Sequence, residues 1–261
     1  MRELAHDNRI DGAVTATGLL WLIASETLKP RLVPEKCRWC YRAADGADTL
    51  NGVDSAIRRN LVWKSPATAN TVSSVIAFAT EPASALGLLA VAGAYDGATD
   101  GFPLDALLTT EAVALAIDFN QVAKFALARE RPFVHYLPRA PDGVRELTAS
   151  PSDDNLSFFS GHTTLAFAIA ASSGTIASLR GYRLAPVVWG AGVAQAVAVG
   201  YLRIGADKHY FSDVMTGAVV GSVVGVGVHL LFHARSENTG QASAAAGAAP
   251  APMTFKVGGA F

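Results

Sequence analysis

Apolar residues gather into six stretches, at about 12–28, 70–95, 104–129, 162–179, 184–204 and 211–233, with polar or Gly/Pro-containing joints between them. Most approach the roughly 20 residues that an α-helix needs to cross the hydrocarbon of a bilayer. The pattern therefore predicts an all-α protein, a six-helix transmembrane bundle. The second stretch holds Val72, Val75, Ile76, Phe78, Leu86, Leu88, Leu89 and Val91 around a central Glu81-Pro82. The fifth and sixth are rich in Ala, Val and Gly, a composition that lets membrane helices approach closely. Gly217, Gly221 and Gly225 recur every four residues, so they share one helix face and predict close packing there.

The joints carry their own signals. The first stretch follows Arg2 and Arg9, as a secretory signal would. Ser25-Glu26-Thr27-Leu28-Lys29 follows it in place of a small-x-small cleavage site, so an uncleaved first helix is expected. In the polar segment 29–69, Val53, Ile57, Leu61 and Val62 fall near helical spacing with Arg58 and Arg59 between them. That predicts a short helix, either on the membrane surface or solvated in the loop. Cys37-Arg38-Trp39-Cys40 is open to reading as a disulfide, a metal half-site, a redox pair or two free thiols. Zinc would need two further ligands, and the chain has no second cysteine pair. A structural disulfide is preferred. From Ser236 onward an Ala/Gly/Pro-rich run cannot bury a core and is expected to be a flexible extension. The expected organisation is one membrane-embedded domain over 1–235 and a tail over 236–261.

Composition removes whole classes of function. Of 261 residues 51% are hydrophobic and only 16% charged, and Lys+Arg 21 against Asp+Glu 22 leaves a net charge of -1. A chain so apolar is not disordered throughout. One so nearly neutral is not a nucleic-acid binder relying on broad phosphate neutralisation. Two cysteines cannot form a disulfide framework.

Because charge is scarce, its placement is informative. Lys124 and Arg131 close the third stretch, seven residues or two helical turns apart, ahead of Pro132. The spacing predicts one shared helix face. Ser160, Gly161 and His162 stand where a loop enters the fourth stretch. Ser160 is a candidate N-cap there, and a helix start favours a bound anion. Arg203, His209 and Asp213 join the fifth stretch to the sixth. His209 and Asp213 are four apart, so a carboxylate is expected beside one imidazole nitrogen, leaving the other free to attack. Three cations, a helix N-terminus and two histidines meet the needs of phosphoryl transfer without a metal. The chain has no carboxylate cluster for Mg²⁺, no P-loop and no Gly-x-Ser-x-Gly elbow.

In this order the three segments resemble the type 2 phosphatidic-acid phosphatase and vanadium haloperoxidase superfamily. Lys124, Arg131 and Pro132 match the first family motif in full; Ser160, Gly161 and His162 match the second, with Phe159 where proline is usual. Arg203, His209 and Asp213 match the third, with Leu202 where Ser or Ala is common. The resemblance implies the integral-membrane lipid phosphatase branch, a phosphohistidine formed on His209 and oriented by Asp213, and His162 as proton donor and then base. It further implies phosphate held by Lys124, Arg131, Ser160, Gly161 and Arg203, with no cofactor and no metal. The implied partners are a lipid phosphate or diphosphate and the bilayer, with no nucleic acid. Alternatives are a soluble acid phosphatase or a vanadate-dependent haloperoxidase of the same superfamily, and a non-catalytic phospholipid-binding or transport protein.

Six crossings from an inner N-terminus would put all three motifs on one outer face, as expected for a bacterial inner-membrane enzyme. Against positive-inside bias, that side would also carry Lys29, Arg31, Lys36, Arg38, Arg42, Arg58, Arg59 and Lys64.

Overall fold

A computed structural model describes residues 2–34, 36–43, 45–137, 148 and 151–234. Among them the regular structure is helical, with isolated bridges and no strand. The tail predicted from residue 236 lies outside the described residues. Each of the six apolar stretches becomes a long rod. Helix α1 is Asn8–Leu32, and the short α2 is Gly52–Leu61. Helix α3, Pro66–Val75, runs through a π-helical stretch, Ile76–Thr80, into α4, Glu81–Tyr95. Then follow α5 (Phe102–Leu127), the single turn α6 (Pro132–His135), α7 (Gly161–Arg180), α8 (Ala185–Gly205) and α9 (Phe211–Val228), which a π turn, His229–His233, extends.

The ends of the rods follow from local chemistry. Asp7 caps α1 by accepting from the Arg9 and Ile10 amides, and Ser160 caps α7 through the Thr163 amide. Gly181, at φ 76, ends α7 in the left-handed region that glycine tolerates best. Helix α5 does not continue to Arg131. It stops at Leu127, where Ala128 turns left-handed (φ 42) and donates back to the Lys124 carbonyl. Lys124 and Arg131 therefore do not share a helix face, because residues 129–131 are drawn out to pair with another segment. The Arg38 amide donates to the Ala128 carbonyl (3.1 Å) and the Glu130 amide to the Trp39 carbonyl (3.1 Å). Cys37 and Cys40 are joined by a disulfide that closes the loop holding Trp39.

Helix α7 is the centre of the bundle and is buried along almost its whole length. It is walled by α9, α8 and α5, and α1 packs on α5. The small residues carry the tightest contact. A Cβ on Gly217 would stand 2.8 Å from the Ser160 carbonyl and one on Gly225 2.8 Å from the Ala168 carbonyl. One on Gly221 would fall under 3.0 Å from the Thr164 carbonyl. Gly227, on another face, has nothing within 4 Å. Gly221→Ala should therefore lower the unfolding temperature relative to Gly227→Ala, by an overpacking penalty of about 1–3 kcal/mol that calorimetry in detergent would register.

Pro66–Tyr95, Ala185–Gly205 and Phe211–His233 are long and apolar enough to cross a membrane, with hydropathies of 1.7, 1.4 and 1.9. They support an integral membrane protein. The other three rods carry more polar residues, among them Asp105, Glu111, Asn120 and Gln121 on α5. Leu20, Ile23, Val219, Val223 and Leu231 are exposed on the outside of the bundle, as lipid-facing residues would be.

Helix α2 is present as predicted, and it is docked on the bundle through a polar residue. Its buried residue is Asp54, while Val53 is exposed. Asp54 docks on the start of α9 by accepting from the Ser212 amide (2.9 Å) and hydroxyl (2.6 Å). Arg58 grips Asp207 with both nitrogens, at 2.7 and 2.5 Å. Several basic residues of 29–69 thus have structural work: Arg58 here, Arg38 on the Ala126 carbonyl and Arg42 on the His135 carbonyl.

Candidate active site

The three motif segments meet at one end of the bundle, around a cavity of about 730 Å³. Lys124, Arg131, Gly161, His162, Arg203 and His209 all line it. Ser160 and Asp213 lie behind this lining, fully buried.

His209 sits in the loop just ahead of α9, nearly inaccessible to solvent. Its Nδ1 donates to the Ser157 carbonyl (2.8 Å). A carbonyl only accepts, so Nδ1 carries the hydrogen and Nε2 keeps its lone pair. Nε2 stands 3.4 Å from Arg131 Nη1 at the cavity. Burial, reinforced by Arg131, Arg203 and Lys124, holds the imidazole well below its ordinary pKa, so it is neutral. Asp213 stands beside this ring, as the spacing predicts, but without a hydrogen bond to it: Oδ2 is 3.8 Å from Nδ1. The reason is that its oxygens are already used. Oδ2 accepts from the Ser157 hydroxyl (2.6 Å) and the Tyr210 amide (2.9 Å), and Oδ1 pairs with Arg129. Asp213 thus fixes the residue whose carbonyl fixes His209.

Arg129 is the largest departure from the sequence reading. Its guanidinium is buried and bridges Asp213 to Asp54 (2.9 Å). Trp39 and Tyr210 cover it, with ring centroids 4.5 and 4.4 Å away. The Asn51-x-x-Asp54 cap spacing and a second arginine inside Lys124–Pro132 were the available signals.

The cations are held by neighbours rather than by one another. Arg203 donates to Asn70 Oδ1 (2.7 Å) and Ser73 Oγ (3.1 Å) on α3. Arg131 Nε donates to the Asp153 carbonyl (2.6 Å) and Nη1 to the Lys208 carbonyl (3.1 Å). Asp153, at the cavity, also pairs with Lys29 at 2.8 Å. Burial would raise its carboxyl, but Arg131, Lys29 and Lys124 outweigh that and hold it down to about 2. His162 Nε2 is 3.1 Å from Ser74 Oγ, and Phe78 meets the ring edge-on.

Ser160 caps α7 as expected, but its hydroxyl oxygen accepts from Thr163 Oγ1 (2.8 Å), and its amide donates to the Asp213 carbonyl (3.1 Å). Gly161, the first helical residue, is the one that faces the cavity. A Cβ there would lie 3.0 Å from both Asn120 Oδ1 and Lys124 Nζ. Gly161→Ala should therefore crowd this end of the cavity and slow turnover at the site about tenfold or more, with little change in unfolding temperature. Phe159, in place of proline, is buried, and its carbonyl accepts from Asn120 Nδ2 (2.8 Å), so the loop is still pinned to α5. Leu202 packs against Ala69 and Ala206.

A helical bundle with buried cations and a neutral, carbonyl-anchored histidine at one end defines an anion-handling site. Residues 105–237 match the PAP2 superfamily, and the chain belongs to it. Membership supports a phosphatase. Among solved structures the fold is similar to the first transmembrane PAP2 type phosphatidylglycerolphosphate phosphatase from Bacillus subtilis. The TM-score is 0.48 and the identity 19%, over 82% of this chain and 93% of that one. No curated protein matches the chain.

Proposed function

We propose that the chain is a lipid phosphatase that hydrolyses a phosphate monoester or diphosphate by way of a phosphohistidine, at the outer face of a bacterial inner membrane. The observation that carries this reading is the two-ended cavity. Its polar end holds Lys124, Arg131, Arg203 and the two histidines; Leu19, Leu22, Phe78, Val113, Ile117 and Leu165 line the rest. Thr110 and Lys124 both line it, 14 residues or about 21 Å apart along α5. A lipid phosphate has that shape and that polarity.

The steps follow from the side chains. The His209 Nε2 lone pair attacks phosphorus, a P–N bond forms, and the bond from phosphorus to the leaving oxygen breaks. His162, which takes up a proton once the bound phosphate offsets the surrounding cations, gives that proton to the leaving oxygen. Neutral His162 then takes a proton from water, the resulting hydroxide attacks phosphorus, the P–N bond breaks and phosphate leaves. Lys124, Arg131 and Arg203 neutralise the equatorial oxygens throughout, and the Gly161 amide at the α7 start contributes a further donor. The disulfide supports the outer face, since Cys37–Cys40 closes the loop against Arg129 beside the site and persists in an oxidising compartment.

The test uses protein purified in detergent micelles, supplied in parallel with phosphatidic acid, a polyprenyl diphosphate and water-soluble glycerol 3-phosphate. Phosphate release from a lipid well above that from glycerol 3-phosphate is expected, with an alkali-stable, acid-labile phosphoenzyme trapped on rapid quenching. Equal turnover of the soluble ester would overturn the lipid reading.

A further inference from the structure

Beyond the apolar end of the cavity, away from its phosphate end, lies a second polar cluster that phosphate hydrolysis does not use. Asp11 of α1, Glu111 of α5 and His233 of the π turn after α9 each offer one donor atom, and these atoms all lie within 4.8 Å of one another. All three residues are more than nine-tenths buried. The cluster is remote from the phosphate end: Asp11 and Lys29 are 18 residues apart on α1, about 27 Å of helical rise.

The protonation of this cluster poses a physical problem. His233 Nδ1 donates to the Ala5 carbonyl (2.9 Å), so its hydrogen is committed there and the Nε2 lone pair faces the carboxylates. Nε2 is 3.5 Å from Glu111 Oε2, too far for a good hydrogen bond, and both atoms are buried with no hydrogen-bond partner among the described residues. Asp11 is oriented by the Asp7 amide, which donates to Oδ2 (2.9 Å). Buried acceptors that converge with no donor between them repel one another unless a proton or a metal cation stands among them. The 3.5 Å separation is also close to the about 3.4 Å between two donors on one tetrahedral ion with bonds of about 2.1 Å. A histidine whose other nitrogen is tied to a backbone carbonyl is the usual second-shell arrangement of a metal ligand. One imidazole with two carboxylates suits Zn²⁺ or Mn²⁺ better than Ca²⁺.

We propose that Asp11, Glu111 and His233 form a structural binding site for a divalent transition cation, with Zn²⁺ the best match. The ion would clamp the first helix and the end of the last to α5, at the opposite end from the chemistry. Bound only in the folded state, it would stabilise that state by mass action.

The test uses full-length protein in detergent, stripped by chelator and then given Zn²⁺, Mn²⁺ or, as control, Mg²⁺. About one equivalent of Zn²⁺ or Mn²⁺ is expected to remain after desalting, with a rise in unfolding temperature that Mg²⁺ does not reproduce. Asp11→Asn and Glu111→Gln, which keep shape, should lose both the ion and the thermal response yet still release phosphate. Co²⁺ bound to the unaltered chain should show visible ligand-field bands that His233→Ala removes. Wild-type protein that retains no ion and shows no thermal response, or variants that hold as much ion as wild type, would overturn the proposal. A proton shared between His233 and Glu111 gives the first of these outcomes. If the variants do not fold, the Co²⁺ spectrum and thermal response of the unaltered chain decide.

Discussion

His209→Ala is expected to reduce phosphate release by about four orders of magnitude or more, because the proposed mechanism then loses the nitrogen that forms the P–N bond. The loss should fall on kcat, since Lys124, Arg131 and Arg203 remain to bind the anion, and no phosphoenzyme should form. Stability should change little. The ring makes a hydrogen bond to the Ser157 carbonyl (2.8 Å) and a long one with Arg131 Nη1 (3.4 Å), each worth about 1 kcal/mol or less. A pH profile supplies an independent check. Burial and then Arg131, Arg203 and Lys124 hold His209 below its ordinary value. A group so lowered stays neutral, and nucleophilic, as pH falls through the usual imidazole range near about 6.5. The acid limb of kcat/KM assigned to this group, measured on a substrate that does not itself titrate there, should lie below that range. Full turnover by His209→Ala would sink the phosphohistidine assignment.

What the sequence made legible was set by period and by scarcity. Runs of about twenty apolar residues leave little alternative to helix, so all six rods and their order could be read directly. Sparse charge in an apolar chain made Lys124, Arg131, Arg203, His162 and His209 conspicuous, and the cavity does bring them together. One inference fails where tertiary pairing overrides local spacing. The Lys124–Arg131 interval was read as two helical turns, yet the pull of the Trp39 strand-like segment ends α5 at Leu127. The His209–Asp213 spacing does set the carboxylate beside the ring, Oδ2 3.8 Å from Nδ1, but Asp213 is consumed by the helix start, Ser157 and Arg129, and a backbone carbonyl takes the hydrogen bond. No side-chain pattern encodes which carbonyl will face a ring. Asp54 and Arg129 were overlooked because their significance lies in a contact across 75 residues, between a loop helix and a helix end.

That overlooked contact yields the second large effect. Arg129→Met should destabilise the protein by about 3–5 kcal/mol, the usual penalty for leaving buried charges without their partner. Here two carboxylates, Asp54 and Asp213, lose the same guanidinium. For a chain of this size the unfolding temperature should fall by roughly 10 °C. Activity should fall as well, at a temperature where the variant is still folded, because Asp213 holds Ser157 and the Tyr210 amide, and Ser157 holds His209. The kinetic signature should be a drop in kcat exceeding any rise in KM, since the phosphate-end cations make none of these bonds. Arg129→Lys should rescue little, because a point charge cannot serve two carboxylates from one planar fork. Adding Asp54→Asn to Arg129→Met removes one of the stranded charges and should recover part of the stability without restoring kcat, because Asp213 stays uncompensated beside His209. An Arg129→Met protein that melts and turns over like wild type would show that His209 is positioned without this buried ion pair.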